Sequence, residues 1–204
     1  MKKTSKALLL MLCAVLLVAA SVLGTMAYLT STDSVENTFT VGKVAITLDE
    51  AKVGTDGTPV TGADRVKDNE YHLIPGHLYT KDPTIHVDSK SEDCWLFVKV
   101  ENGIAAIEAD TKIADQMATN GWTPVAAGSN VYARSATNKA GDDVVVFGSF
   151  KIGNVDNTTL ANYVTIKDSQ GNVSGTLIKV TAYAIQAEGF ATAAAAWTAS
   201  GFGA

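Results

Sequence analysis

From Phe39 onward, apolar and polar residues alternate in short runs separated by Gly, Pro, Asn and Asp, a period of two that predicts strands joined by turns. Phe39 and Val41 share one phase and Val44, Ile46 and Leu48 the other, so a bulge at Gly42 and Lys43 absorbs one residue of a long strand. Residues 49–70 lose the alternation and read as a surface loop with a short hairpin at Asp56-Gly57. Residues 71–74 predict a brief strand closed by the Pro75-Gly76 turn, with 78–80 continuing it, and 84–87 place Ile85 and Val87 on one face.

The strongest strand signal is at 94–101, where Cys94, Leu96, Val98 and Val100 fill one phase and Trp95 and Phe97 the other. Apolar residues in both phases predict an interior strand. Residues 104–118 change period, with Ile107, Ala114 and Met117 on one helix face and Ile113 four residues before Met117. Gly121 reads as the terminator of that helix and Trp122 as a side chain packed at its end. Residues 130–134 and 143–152 read as a hairpin, 156–163 as one helical turn, and 167–175 as a loop. Residues 176–187 predict a long strand, with Ile178, Val180, Ala182 and Ala184 opposed to Leu177, Tyr183 and Ile185, and the Ala-rich 190–197 predicts a closing helix anchored by Trp197. Many strands, two short helical insertions and no βαβ rhythm predict a mainly β fold, a jelly-roll-like β-sandwich. Such a fold has sheet edges, and exposed edges invite pairing with another chain.

The first residues follow a different pattern. Lys2, Lys3 and Lys6 precede a run from Ala7 to Leu23 that is apolar apart from Ser21, the layout of a secretory signal peptide in helical form. A single-pass anchor of about 20 residues is the competing reading. The small residues Thr25 and Ala27 flanking Met26 favour a signal peptidase cutting between Ala27 and Tyr28. Cys13 follows Leu12 deep in the apolar run, so it does not read as a lipid attachment site. Residues 28–38 are mostly Ser, Thr, Asp and Asn, with Tyr28, Leu29 and Val35 as the larger apolar or aromatic side chains, too few to bury alone. The predicted organisation is therefore signal peptide 1–27, mobile segment 28–38 and a β domain over 39–204.

Composition narrows the partners. The 204 residues carry a formal net charge of −5, and loss of Lys2, Lys3 and Lys6 with the signal takes it to −8. That balance disfavours nucleic acid and anionic lipid, leaving the uncleaved signal as the one membrane contact. Cys94 becomes the single cysteine of the cut chain, so no disulfide forms within it, and its phase beside Leu96 and Val98 reads as a small buried hydrophobe.

Chemistry-bearing motifs are sparse. His72, His77 and His86 are the candidates for a metal cluster, but no HExxH places two imidazoles and a base on one helix face, and the pattern favours solvated or locally bonded histidines. Residues 168–172 lack the distal acid of a calcium loop. No GxSxG, P-loop or dinucleotide fingerprint is present, and the pairs Asp142-Asp143 and Glu92-Asp93 sit beside turns. The sequence offers no catalytic residue, cofactor site or metal site, and the chain reads as a non-enzyme.

The junction around the cut is more specific. Ala27 and Tyr28, the polar stretch from Thr30 to Ser34, Asn37-Thr38-Phe39 and Val41-Gly42-Lys43-Val44 together resemble the N-terminal signature of the TasA and camelysin family of Gram-positive bacteria, exported with a SipW-type signal peptidase. The likeness continues over residues 71–87 and 180–190 and is loose from about 103 to 140. The resemblance implies a secreted jelly-roll subunit of extracellular matrix or pilus-like fibres on a Gram-positive surface. In that arrangement the freed end of one copy, through Tyr28, Leu29, Val35, Phe39 and Val41, enters the sheet of the next. It implies the chain itself as main partner, with a minor accessory matrix protein and, during export, the signal peptidase. Two other readings stay open. One is a camelysin-like metallopeptidase using His72, His77 and His86, which departs from known zinc-protease motifs; the other is a monomeric cell-surface binding module.

Overall fold

A computed structural model describes residues 6, 8, 11–18, 44–134, 142–163, 166–167, 173–174 and 178–202. The chain divides into two units, Met1–Thr40 and Val41–Ala204. In the first, residues 11–18 are helical and expose Leu12, Val15 and Leu16. No helix among the described residues is long and apolar enough to cross a membrane. The cut site Ala27-Tyr28, the donor candidates Leu29, Val35, Phe39 and Val41, and the expected bulge at Gly42-Lys43 lie outside the described residues.

The second unit is mainly antiparallel β. Its described strands are β1 (Ile46–Asp49), β2 (Leu78–Thr80), β3 (Thr84–Val87), β4 (Cys94–Asn102), β5 (Trp122–Pro124), β6 (Val131–Arg134), β7 (Asp143–Val145), β8 (Ser149–Lys151), β9 (Ile166–Lys167), β10 (Val173–Ser174) and β11 (Ile178–Gln186). They assemble as a four-stranded sheet in the order β11-β4-β6-β5, a three-stranded sheet β1-β3-β7, and the pairs β2-β8 and β9-β10, with no closed barrel. Among the described residues three short helices interrupt them: α1 (Ile113–Thr119), α2 (Asn157–Ala161) and α3 (Ala193–Ser200).

The two phases of β4 explain how the layers meet. Cys94, Leu96, Val98 and Val100 join Ile85 and Val87 of β3, Val144 of β7, Tyr79 of β2 and Phe150 of β8 in one apolar cluster, against which Val180, Ala182 and Ala184 of β11 pack. Phe97 faces the other way, into a second cluster with Val131, Ala133 and Ala196, flanked by Trp95, Tyr183, Ile185 and Trp197. Thus β4 is interior, as its sequence predicts, and α3 covers the second face. Helix α3 begins where the Thr192 hydroxyl accepts the Ala195 N–H, and Trp197 sets its ring 5.2 Å from Phe97 and 5.5 Å from Tyr183. The α2 turn is likewise capped, by the Asp156 carboxylate accepting the Thr159 N–H.

Expectations over residues 71–74, 104–118, 130–152 and 166–174 need correcting, and in the first two side-chain hydrogen bonds take up backbone groups that a regular element would pair. Residues 71–74 are not a strand: the Ile74 N–H donates to the Tyr79 hydroxyl, which in turn donates to the His72 carbonyl. The helix predicted over 104–118 is confined to Ile113–Thr119, because Asn102 accepts the Ile104 N–H, Glu108 accepts the Ile113 N–H, and Asp110 sits at φ 56°. Ile107 is buried from a turn, and Ala114 is exposed. Gly121, at φ 83°, does end the helix, and Trp122 is buried beside it.

The segment 143–152 is not one strand, nor does it form a hairpin with β6. β6 pairs with β4 and β5, whereas β7 pairs with β3 and β8 with β2. Between β7 and β8 the backbone changes sheets, and its polar groups are met by Trp122 Nε1 donating to the Val145 carbonyl, Asn120 Nδ2 to the Val146 carbonyl, and Gln116 Oε1 accepting from Gly148 and Ser149. Residues 166–167 and 173–174, expected as loop or its flank, pair as β9 and β10. The loop 50–70 is less detached than its composition suggests. Glu50 bridges to Val66, Val53 to Pro59, and Gly57, at φ 78°, approaches so closely that a Cβ there would lie 2.8 Å from Tyr79 Cα.

Candidate functional site

The longest sheet edge among the described residues is β11. The other edges, β1, β5 and β7 and the strands of the two-stranded pairs, have two to four residues, and β5 contains Pro124. β11 has nine, all paired with β4, from Ile178 opposite Asn102 to Gln186 opposite Cys94. Which backbone groups face outward follows from the ladder. The Ala187 N–H donates to the Asp93 carbonyl, and β4 turns Val100 N–H toward Asn130 on its other side. By the antiparallel alternation, Lys179, Thr181, Tyr183 and Ile185 exchange bonds with β4, while Ile178, Val180, Ala182, Ala184 and Gln186 direct N–H and C=O away from it. Among the described residues no strand pairs with that side. At about 3.3 Å per residue the row is about 30 Å long.

Comparison with protein-family models, with curated proteins and with solved structures found no match to this chain.

The histidines do not gather. His72 is exposed, and His77 sets Nε2 2.9 Å from the Asp56 carbonyl and its ring against Tyr79. His86, on β3, lies between Asp49 of β1, 2.8 Å from Nε2, and Asp143 of β7, 2.5 Å from Nδ1. Asp143 sits beside a turn in the sequence, and its register opposite His86 brings it to the imidazole. Hydrogen bonding to Asp49 first, and to Asp143, raises the His86 pKa above 6.5 despite partial burial. Asp49 is held below the usual carboxylate range: burial opposes this, but Arg65 and His86 together outweigh it. Arg65 also reaches Asp82, at 3.0 Å. No group of three or more His, Cys, Asp or Glu among the described residues is placed to hold a metal ion.

The Cys94 thiol is fully buried, and burial, then Asp93, pushes its pKa up, which disfavours the reactive thiolate. Glu50 was invisible as a site residue because it follows an alternating strand and opens a polar loop. It is 3% exposed, and its carboxylate meets Lys81 and Asn69, residues that lie 31 and 19 positions away and carry no local signal of the meeting.

Proposed function

We propose that the chain is a secreted structural subunit that polymerises by strand donation, the end released by cutting after Ala27 pairing with the β11 edge of the next copy. The single observation that carries this reading is that nine-residue edge, whose outward N–H and C=O groups form a template for a further strand. Residues 28–38, extended, span about 35 Å, enough to cover a row of about 30 Å. Backbone pairing supplies affinity, and alternate side chains, Tyr28, Leu29, Val35, Phe39 and Val41 among them, supply register. We read the two larger sheets, with apolar residues of both in one cluster, as the halves of a jelly-roll-like sandwich. Its setting is the extracellular matrix or cell surface of a Gram-positive bacterium, and the signal peptidase is the licensing step, because the donor end is tethered until it is cut.

Electron microscopy of the secreted, correctly cut protein tests this. Fibres are expected from the native chain and from neither a 28–38 deletion nor Ala182→Pro, which removes one outward N–H. The circular dichroism of both variants stays β-rich. Fibres formed by the deletion variant overturn strand donation; fibres formed by Ala182→Pro alone move the acceptor away from β11.

A further inference from the structure

Glu50, Lys81 and Asn69 form a polar inset where the loop returns to the sheets, with Glu50 buried and the other two partly buried. Lys81 Nζ donates to Glu50 Oε2 at 2.5 Å, and Asn69 Nδ2 donates to the other oxygen of the same carboxylate at 3.0 Å. The Lys81 side chain is 11% exposed and that of Glu50 4%. The second hydrogen of the Asn69 amide goes to the Ala51 carbonyl at 2.8 Å, and its oxygen accepts the Val53 N–H at 3.0 Å. Every polar atom of the amide is thus held, and its orientation is fixed by opposed donors and acceptors. Tyr71 shields the group. Its ring centroid lies 6.0 Å from Lys81 Nζ, its hydroxyl donates to the Thr80 carbonyl, and its ring packs edge-on to Tyr79 and Phe150. Burial, then the nearby Glu50 and Asp82 charges, raises the Tyr71 pKa, so its hydroxyl stays neutral.

The geometry points to a self-modification site: an amide bond between the Lys81 side chain and the Asn69 side chain, formed with release of ammonia and with Glu50 as proton shuttle. One carboxylate holds an amine nucleophile and a carboxamide together in a shielded pocket, and a backbone N–H is already aimed at the carboxamide oxygen. These are the three parts that acyl transfer requires.

The step balances without an outside reagent. Glu50 takes a proton from the Lys81 ammonium, and the freed lone pair on Nζ attacks Asn69 Cγ. The new C–N bond forms as the carbonyl pair moves onto Oδ1, where the Val53 N–H stabilises it. Glu50 then gives its proton to Nδ2 and accepts the surplus proton from Nζ. The C–Nδ2 bond breaks, the carbonyl re-forms, and neutral ammonia leaves beside a protonated Glu50. The product joins the loop to the chain between β2 and β3 and encloses residues 70–80. It is indifferent to redox conditions, in a chain whose cut form has one cysteine and no internal disulfide.

Peptide mapping of the folded secreted protein decides the matter. The expected product lacks one ammonia, and trypsin leaves the Lys81-Asp82 bond uncut, giving a single ring-containing peptide over residues 68–90. Glu50→Gln, Lys81→Arg and Asn69→Ala each restore the full mass. The first and third also leave Lys81 open to trypsin. A native chain of unaltered mass that trypsin cuts at Lys81 overturns the proposal, whether or not the variants fold. Ammonia loss that persists in Lys81→Arg overturns it too, because it assigns the loss to cyclisation of Asn69 onto its own backbone.

Discussion

β4 and β11 lie in register for nine residues, yet their surroundings differ. On β4, Leu96, Phe97 and Val98 are fully buried, and both edges are hydrogen bonded, to β11 and to β6. On β11, Val180 through Ile185 are each half-buried, and one edge has no strand hydrogen bonded to it among the described residues. The difference separates two uses of a strand. The interior one fixes the fold by packing on two faces, whereas its neighbour is hydrogen bonded along one side alone among the described residues.

The sharpest test of that contrast is paired truncation. Phe97→Ala removes a ring from a filled pocket between β4 and α3, and a loss of about 3–5 kcal/mol is expected. Val180→Ala removes two methyl groups from a half-buried site, and about 1 kcal/mol is expected. Urea unfolding of the non-assembled chain measures both. Equal losses would mean that β11 is covered as completely as β4 and would remove the argument for an open edge.

Trp197 is the next lever, because its ring spans both strands, against Phe97 of β4 and Tyr183 of β11. It is half-buried, so Trp197→Ala is expected to cost about 2 kcal/mol, below the range for a filled core site. Tyr183 remains stacked on Phe202 at 5.0 Å, which keeps part of the cover in place. Thermal unfolding should therefore remain a single transition at lower temperature. A separate early transition would show that α3 and β11 form a unit of their own.

How far these features can be read from the chain follows the same contrast. The alternation of 94–101 and 176–187 reports faces, and the large side chains Trp95 and Phe97 in the second phase of β4 mark it as interior. Nothing in the alternation of β11 reveals that it has one hydrogen-bonded neighbour among the described residues, since an edge is set by what other segments do. The break at 146–148 is equally hidden, because the groups that satisfy the backbone around it, Gln116 of α1, Asn120 after it and Trp122 of β5, lie 23 to 33 residues earlier. The inset of Glu50, Asn69 and Lys81 was hidden for the converse reason. Its members sit in segments rich in Gly, Asp and Lys, where a lone buried carboxylate leaves no periodic trace.

The smallest expected effect lies on the sheet that carries no long edge. His86 ties three strands together through Asp49 on β1 and Asp143 on β7, with Arg65 and Asp82 completing the charges around it. Its pKa is raised in the fold from 6.5, so the proton is held more tightly in the native state than in the unfolded chain. The contribution is therefore complete below pH 6.5 and fades as the pH climbs through the raised value. Asp49 acts in the opposite window: its pKa is lowered from 3.8, so its share is present above that value and is lost as the pH falls through the lowered one. All these groups are partly solvated, and a total of about 1 kcal/mol or less is expected. Urea midpoints of the native chain and His86→Gln, measured from pH 5 to pH 9, should differ at the acid end and converge at the alkaline end. A constant difference across that range would assign His86 a packing role and dissolve the three-strand tie.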